Sequence, residues 1–269
     1  MRRNLHLVVL ALLVALCVAG PLLAPYNPLE QHREMANAAP SGQHWLGTDD
    51  YGRDVFSRFL AGANWSVLAG ASATALTLLL GWFAGGLAGF RRGWVDQLLM
   101  RVGDLVLSLP WLYVLIGLRA VLPLSMQPRM AVATMLFLIA AVSWARPARL
   151  VRGVVLSLSE RGYVEAARGF GVPEFKIFLR HVLPGTWGLL AAQTLVLFPR
   201  FMLAEVTLSF LGLGVGEPEP SWGGLILGLK QAWILHEQWW RLLPVCLMVP
   251  LFLSCAVSAR VAARRYRAA

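Results

Sequence analysis

Between Tyr163 and Pro184 the chain reads Tyr-Val-Glu-Ala-Ala-Arg-Gly-Phe-Gly-Val-Pro-Glu-Phe-Lys-Ile-Phe-Leu-Arg-His-Val-Leu-Pro. This is its longest charged, amphipathic block between two apolar spans. Helix-compatible residues lead into Gly171, which suits the left-handed position just past a helix end. Pro173 stands where a new helix can begin, because a first-turn residue needs no amide hydrogen bond. Phe175, Phe178, Leu179 and Val182 recur at helical spacing, and Pro184 is expected to stop the run. The local reading is a helix, a tight glycine bend and a short second helix standing as a knob on a membrane surface.

The rest of the composition supports a membrane setting. Of 269 residues 58% are hydrophobic and only 14% charged, too little polar surface for a soluble domain of this length. The net charge of +10 raises nucleic acid as a partner, but its distribution argues against one. Basic residues gather at Arg2–Arg3, Arg91–Arg92–Arg101, Arg146 to Arg180 and Arg260 to Arg267, each beside an apolar span. Alternation of spans puts these clusters on one side, as the positive-inside rule requires. Acidic residues gather on the other side, at Glu30, Glu34, Asp49, Asp50, Asp54, Glu217, Glu219 and Glu237. Cys17, Cys246 and Cys255 lie in apolar spans without CxxC spacing, which argues against a disulfide framework or a zinc site.

Working outward from the knob, Leu5 to Ala24 is an apolar run behind Arg2–Arg3. It reads as an uncleaved first span of about 20 residues, with a signal peptide as the alternative. Leu29 to Asn64 is polar and punctuated by proline and glycine. Thr48 or Asp49 can cap a helix there, with Val55, Phe56, Phe59 and Leu60 on one apolar face lying at the interface or against the bundle. Trp65 to Phe90 is the second span. Its Gly81, Gly85 and Gly89 recur every fourth residue and admit a close helix neighbour, within the chain or in a dimer.

Asp96, Arg101 and Asp104 precede a third span, Leu105 to Leu122, in which Pro110 is expected to kink the helix. Those charges either gate a pathway or pair structurally. The fourth span is Ala131 to Ala145, lengthened by helix into Arg146. The fifth, Gly185 to Leu213, carries Pro199, Arg200 and Glu205, and an unpartnered charge there costs on the order of 3 kcal/mol. Arg200 and Glu205 lie roughly 140° apart around a helix, so they are poor mutual partners. Either Arg200 faces a water-filled cavity or it pairs across the bundle. Glycines at 212, 214 and 216 suit a helix end and turn, and Trp222, Trp233, Trp239 and Trp240 fit an interfacial belt. The last span is Leu242 to Val261.

Four stretches carry a resemblance to a known family. Glu165-Ala166-Ala167, three residues, Gly171, nine residues, then His181-Val182-Leu183-Pro184 resembles the EAA loop of ABC-importer permeases. His44-Trp45-Leu46-Gly47-Thr48-Asp49 through Gly52-Arg53-Asp54 to Ser57-Arg58 resembles the LGTD-x-x-GRD-x-x-SR signature of the peptide and nickel branch. Asp96, Arg101 and Asp104 with Ser108-x-Pro110, and Glu205 to Val215 followed by Pro218 to Gly223, resemble further segments of the same branch. His181 departs from the usual isoleucine in a way familiar among peptide importers. The chain lacks the Asn-x-x-Gly-Asp and Arg-Asp-x-Leu-Asp-Pro tail common in the family, so any role of that tail is expected to be absent or replaced.

The resemblance implies an all-α polytopic membrane protein with six transmembrane helices and a cytoplasmic EAA coupling helix. It implies an N-terminal span at 1–24, an extracytoplasmic segment with an interfacial helix at 25–63, a permease core at 64–262 with its coupling loop at 146–184, and a basic cytoplasmic tail at 263–269. The family's coupling residues fall on Glu165, Ala166, Ala167, Gly171, Leu183 and Pro184, and pathway or gating candidates on Arg200, Glu205 and Asp104. The implied partners are a second permease subunit (a heterodimer), two ATP-binding subunits that hold the ATP, an extracytoplasmic substrate-binding protein and the lipid bilayer. Location would be a bacterial-type inner membrane with both termini cytoplasmic. This chain itself is expected to bind no cofactor, metal or nucleic acid and to be no enzyme. Its two lysines, Lys176 and Lys230, follow Phe175 and Leu229, so a GxxxxGK[ST] phosphate loop is impossible. A nickel importer is the nearest alternative. A secondary transporter or channel using Arg200 and Glu205 would need no knob, and a purely structural membrane protein is a further alternative.

Overall fold

Lipid offers a backbone amide no partner, so a long apolar run has to close its hydrogen bonds within itself as helix. The structure, a computed structural model, describes residues 5–111, 113–114, 116–117, 128–212, 214, 216–230 and 237–268. Among these the chain is helical, with one isolated bridge between Thr48 and Asp54. Four helical stretches are long and apolar enough to cross a membrane: Leu5–Leu23, Val55–Arg91, Glu174–Phe210 and Trp239–Ala262. Ala133–Ser143 and Ala145–Ser159, bent by 48° at their junction, make a fifth if taken as one broken span. Of the remaining expected span, Leu105 to Leu122, residues 112, 115 and 118–122 lie outside the described residues, as do Arg2, Arg3, Leu213, Val215, Trp233 and His236.

The chain divides into two units. The first comprises Met1–Ser72, Arg119–Met135 and Phe198–Ala269. Here α1 (Leu5–Leu23) packs against α10 (Leu243–Ala268). Gly20 of α1 lies so close to the Leu60 carbonyl of α2 (Val55–Arg91) that a Cβ would collide with it. Asn64 Nδ2 donates to the Val18 carbonyl at 2.7 Å. The expected interfacial helix is not separate: α2 runs unbroken from Val55, and Val55, Phe59 and Leu60 are buried in its first turns. Asp54, rather than Thr48 or Asp49, caps it, Oδ2 accepting the Ser57 amide at 2.7 Å. Asp49 is already committed to the amides of Tyr51 and Arg53. Trp222, which opens α9 (Trp222–Leu227), is a core residue and not a belt residue. Its ring stacks 5.6 Å from that of Phe59, and Nε1 donates to the Phe59 carbonyl at 3.2 Å.

The second unit comprises Ala73–Leu118 and Leu136–Leu197. It holds the latter part of α2, α3 (Gly93–Ser108), the end of α4 (Pro128–Ser143), α5 (Ala145–Ser159) and the knob. The glycine stripe of α2 is an intrachain seam. A Cβ at Gly81 would stand 3.0 Å from the Trp144 carbonyl, one at Gly85 would collide with the Ala148 carbonyl, and one at Gly89 would stand 2.8 Å from that of Arg152. Three glycines four apart thus face three carbonyls four apart, which brings two helix backbones into contact. Pro110 does not kink a helix. α3 ends at Ser108, and Leu109 is extended (φ −83°, ψ 136°), the conformation a following proline imposes.

Candidate coupling surface and buried charges

The knob begins with α6 (Gly162–Gly169). Past it Gly171 adopts φ +75°, its amide donating to Arg168 O at 2.9 Å, while the Val172 amide donates to Ala167 O at 3.1 Å. These two bonds, with glycine in the left-handed position, form a Schellman helix end. After Pro173 the chain turns into α7 (Glu174–Ile177), and Arg168 Nε bonds Glu174 Oε1 at 2.9 Å across the bend. Pro184 does not stop the run. A π-helical turn (Phe178–Val182) and a 3-10 turn (Leu183–Thr186) lead directly into α8 (Trp187–Phe210). Widening the turn before a proline relieves the clash of its ring with the preceding carbonyl, and tightening after it restores the ladder. The knob is therefore joined to a membrane-crossing helix without a loop.

Burial sorts the expected coupling residues. Val164, Ile177 and Val182 are fully enclosed and anchor the knob. Glu165, Ala166, Gly171 and Pro184 are exposed, and Ala167 is half-buried. Leu183 is only 2% exposed and packs on the Gly86 face of α2, so it secures the knob from within and is not part of its outer surface. Phe170 and Phe175, not singled out from sequence as docking residues, stand 87% and 72% exposed on either side of the bend. Beside them a groove of ≈ 530 Å³ is lined by Leu87, Phe90, Arg91, Glu174, Phe175 and Phe178.

The gating candidates fall in both units. In the second unit Asp104 pairs with Arg149, and Asp96 with Arg152, so both carboxylates fasten α3 to α5. In the first unit Glu205 is 2% exposed, with its carboxylate accepting the hydroxyls of Ser66 and Ser209, each at 2.8 Å. The Ser66 hydroxyl in turn accepts the Trp222 amide at 3.3 Å. Arg200 is half-buried on the same helix as Glu205.

A second charged cluster, also in the first unit, escaped sequence reasoning. Arg53 and Arg58 are both 3% exposed. Arg53 Nε donates to Asp49 Oδ2 at 2.7 Å and Nη1 to Glu217 Oε2 at 2.6 Å. Arg58 Nη2 reaches both Glu217 oxygens at 3.1 and 3.2 Å, and Arg241 holds Asp50 at 3.0 Å. Burial opposes the charge on Arg53, but the hydrogen bonds it donates to Glu217 and the charge of Asp49 more than offset it and hold its pKa above the ordinary arginine value. Separately, His44 Nδ1 lies 2.9 Å from Asp54 Oδ1.

This geometry meets an independent comparison. The family described as binding-protein-dependent transport system inner membrane component matches residues 77–268, which takes in the glycine seam, the knob and α8. The chain belongs to this family. Residues 7–40 of the permease also match the N-terminal transmembrane domain of oligopeptide transport permease C. It is 38% identical over 237 residues to the dipeptide transport system permease protein DppC of Bacillus subtilis, covering 88% of this chain and 72% of that one. It is 34% identical over 217 residues to the oligopeptide transport system permease protein OppC of the same organism, covering 81% and 69%. With the glutathione transport system permease protein GsiD of Pectobacterium atrosepticum the identity is 35% over 216 residues, covering 80% and 70%. Members of the family are transport subunits, and the permease is a multi-pass membrane protein.

Proposed function

We propose that this chain is one of two permease subunits, forming a heterodimer, that together line a pathway for peptides driven by two ATP-binding subunits. An extracytoplasmic binding protein delivers the substrate. The observation that carries the reading is the continuity from the Schellman bend at Gly171, through the π and 3-10 turns, into α8. A force applied to the exposed face of Glu165, Ala166, Phe170 and Phe175 is passed through backbone hydrogen bonds to a membrane-crossing helix rather than lost in a loop. The peptide class is supported by relatives named for dipeptide, oligopeptide and glutathione transport.

In this scheme the ATP-binding subunits hold the nucleotide and grip the knob from the cytoplasm. Both termini lie on that side of an inner membrane, Arg200 and Glu205 border the pathway, and Pro184 completes the docking edge. Co-purification tests the partnership directly: co-expressed ATP-binding subunits should be retained by the tagged wild-type chain and released by Phe170→Asp/Phe175→Asp. Equal retention by both would remove the knob as the docking element. Arg200→Ala should lower uptake with assembly unchanged, and unaltered uptake would take Arg200 out of the pathway.

A further inference from the structure

The Arg53–Arg58 cluster is built to hold an anion, and one of its members is placed to be exchanged. The side chains of Arg53 and Arg58 are 4% exposed and that of Asp49 is 11%, whereas Glu217 is 57% exposed. Two carboxylates balance two buried guanidinium groups, so removing Glu217 would leave a buried positive charge uncompensated, an arrangement that proteins tolerate poorly. Glu217 can therefore leave only if another anion takes its place. Arg53 offers Glu217 two nitrogens, Nη1 and Nη2, in the fork geometry that a free carboxylate fits, and Arg58 adds Nη2 to both carboxylate oxygens. Arg58 Nε, 3.5 Å from Asp49 Oδ2, has no hydrogen bond and is spare donor capacity. The adjoining cavity, lined by Asp49, Arg53, Arg58, Glu217 and Arg241 among others, holds ≈ 80 Å³. That is room for a carboxylate and a water or two, and too little for a peptide's body.

We propose that Arg53 and Arg58 form a carboxylate-binding subsite that Glu217 occupies at rest and that the terminal carboxylate of a peptide occupies by displacing it. The peptide part of this assignment rests on the function proposed above; the carboxylate part rests on the cluster alone. The test is chemical rescue of the full chain in lipid nanodiscs. Glu217→Ala should lower the thermal midpoint, and trialanine should raise it with concentration, while the wild type responds little because Glu217 competes. Trialanine amide, which lacks the carboxylate, should give no rise, and Glu217→Ala/Arg53→Gln should lose the response. If Glu217→Ala does not fold, Glu217→Gln removes the charge at nearly constant shape and is titrated in the same way. An equal rise with sodium chloride or with trialanine amide, or no rise with trialanine, would overturn the subsite. Uptake of a di- and tripeptide mixture by the transporter assembled with its ATP-binding subunits is measured alongside. Uptake without rescue would overturn the subsite and leave the importer reading standing; rescue without uptake would support the subsite and count against the peptide reading.

Discussion

The knob and the arginine cluster are both charged, both lie outside the apolar cores of the spans, and they solve opposite problems. In the cluster, Arg53, Arg58 and Asp49 are withdrawn from water and at rest are balanced by Glu217 of the same chain, with only the Arg58 Nε donor left over. In the knob the anchoring residues Val164, Ile177 and Val182 are enclosed, but Phe170 and Phe175 are left in the open around a bend where, among the described residues, a Cβ at Gly171 would meet nothing within 4 Å. A surface that leaves two aromatic rings in the open is one that, under the proposed function, the ATP-binding partner completes. The lesson is that charge density marks neither region; what separates them is whether their side chains find partners within the chain.

That contrast can be broken by substitution, and the largest effect belongs to the self-sufficient region. Arg53→Ala strands Asp49 and Arg58 and should cost about 3–5 kcal/mol, the usual loss on breaking a buried ion pair. Thermal unfolding in nanodiscs reads it, and a near-wild-type midpoint would mean that the cluster is not closed as described. Gly85→Leu comes next. Its side chain meets the Ala148 carbonyl of α5, and overpacking of this kind costs about 1–3 kcal/mol, visible as a lower midpoint and reduced membrane yield.

At the knob the stability cost should be smaller and the functional cost larger. Gly171→Val forces a β-branched residue to φ +75°, a strain of about 1–2 kcal/mol, with no steric clash to add to it. ATP hydrolysis by the assembled transporter should continue while peptide uptake falls away, and full uptake would contradict the coupling role. Phe175→Ser is the sharpest contrast with Arg53→Ala. At 72% exposure its removal should leave the midpoint unchanged while weakening capture of the ATP-binding subunits. A lowered midpoint with unchanged capture would reverse the assignment of the two regions.

Local chemistry made part of this legible from sequence. Gly171 was readable because only glycine takes a left-handed helix end cheaply, and the Gly81–Gly85–Gly89 stripe because its spacing speaks of a close neighbour. Sequence could not say that the neighbour is the Trp144–Ala148–Arg152 face of α5. The pairing of Arg53 with Glu217 was hidden by 164 intervening residues, since no local pattern announces a partner so distant. Pro184 misled because the proline rule describes a regular α-helix interior, whereas a π turn ahead of the ring lets the helix pass. Leu183 counts among the coupling residues by membership of a motif, and a motif does not say which way a side chain faces. Trp222 was misplaced for a related reason: an amphipathic ring suits an interface, but here its N–H finds the Phe59 carbonyl inside.

The central claim is that the bend at Gly171 faces the cytoplasm and meets a partner there. Phe170→Cys, in a chain whose Cys17, Cys246 and Cys255 are replaced, allows labelling by a membrane-impermeant maleimide in right-side-out and inside-out vesicles. The account predicts labelling only in inside-out vesicles, and protection from it when the ATP-binding subunits are added. Labelling from the extracytoplasmic side, or none from either, would contradict it.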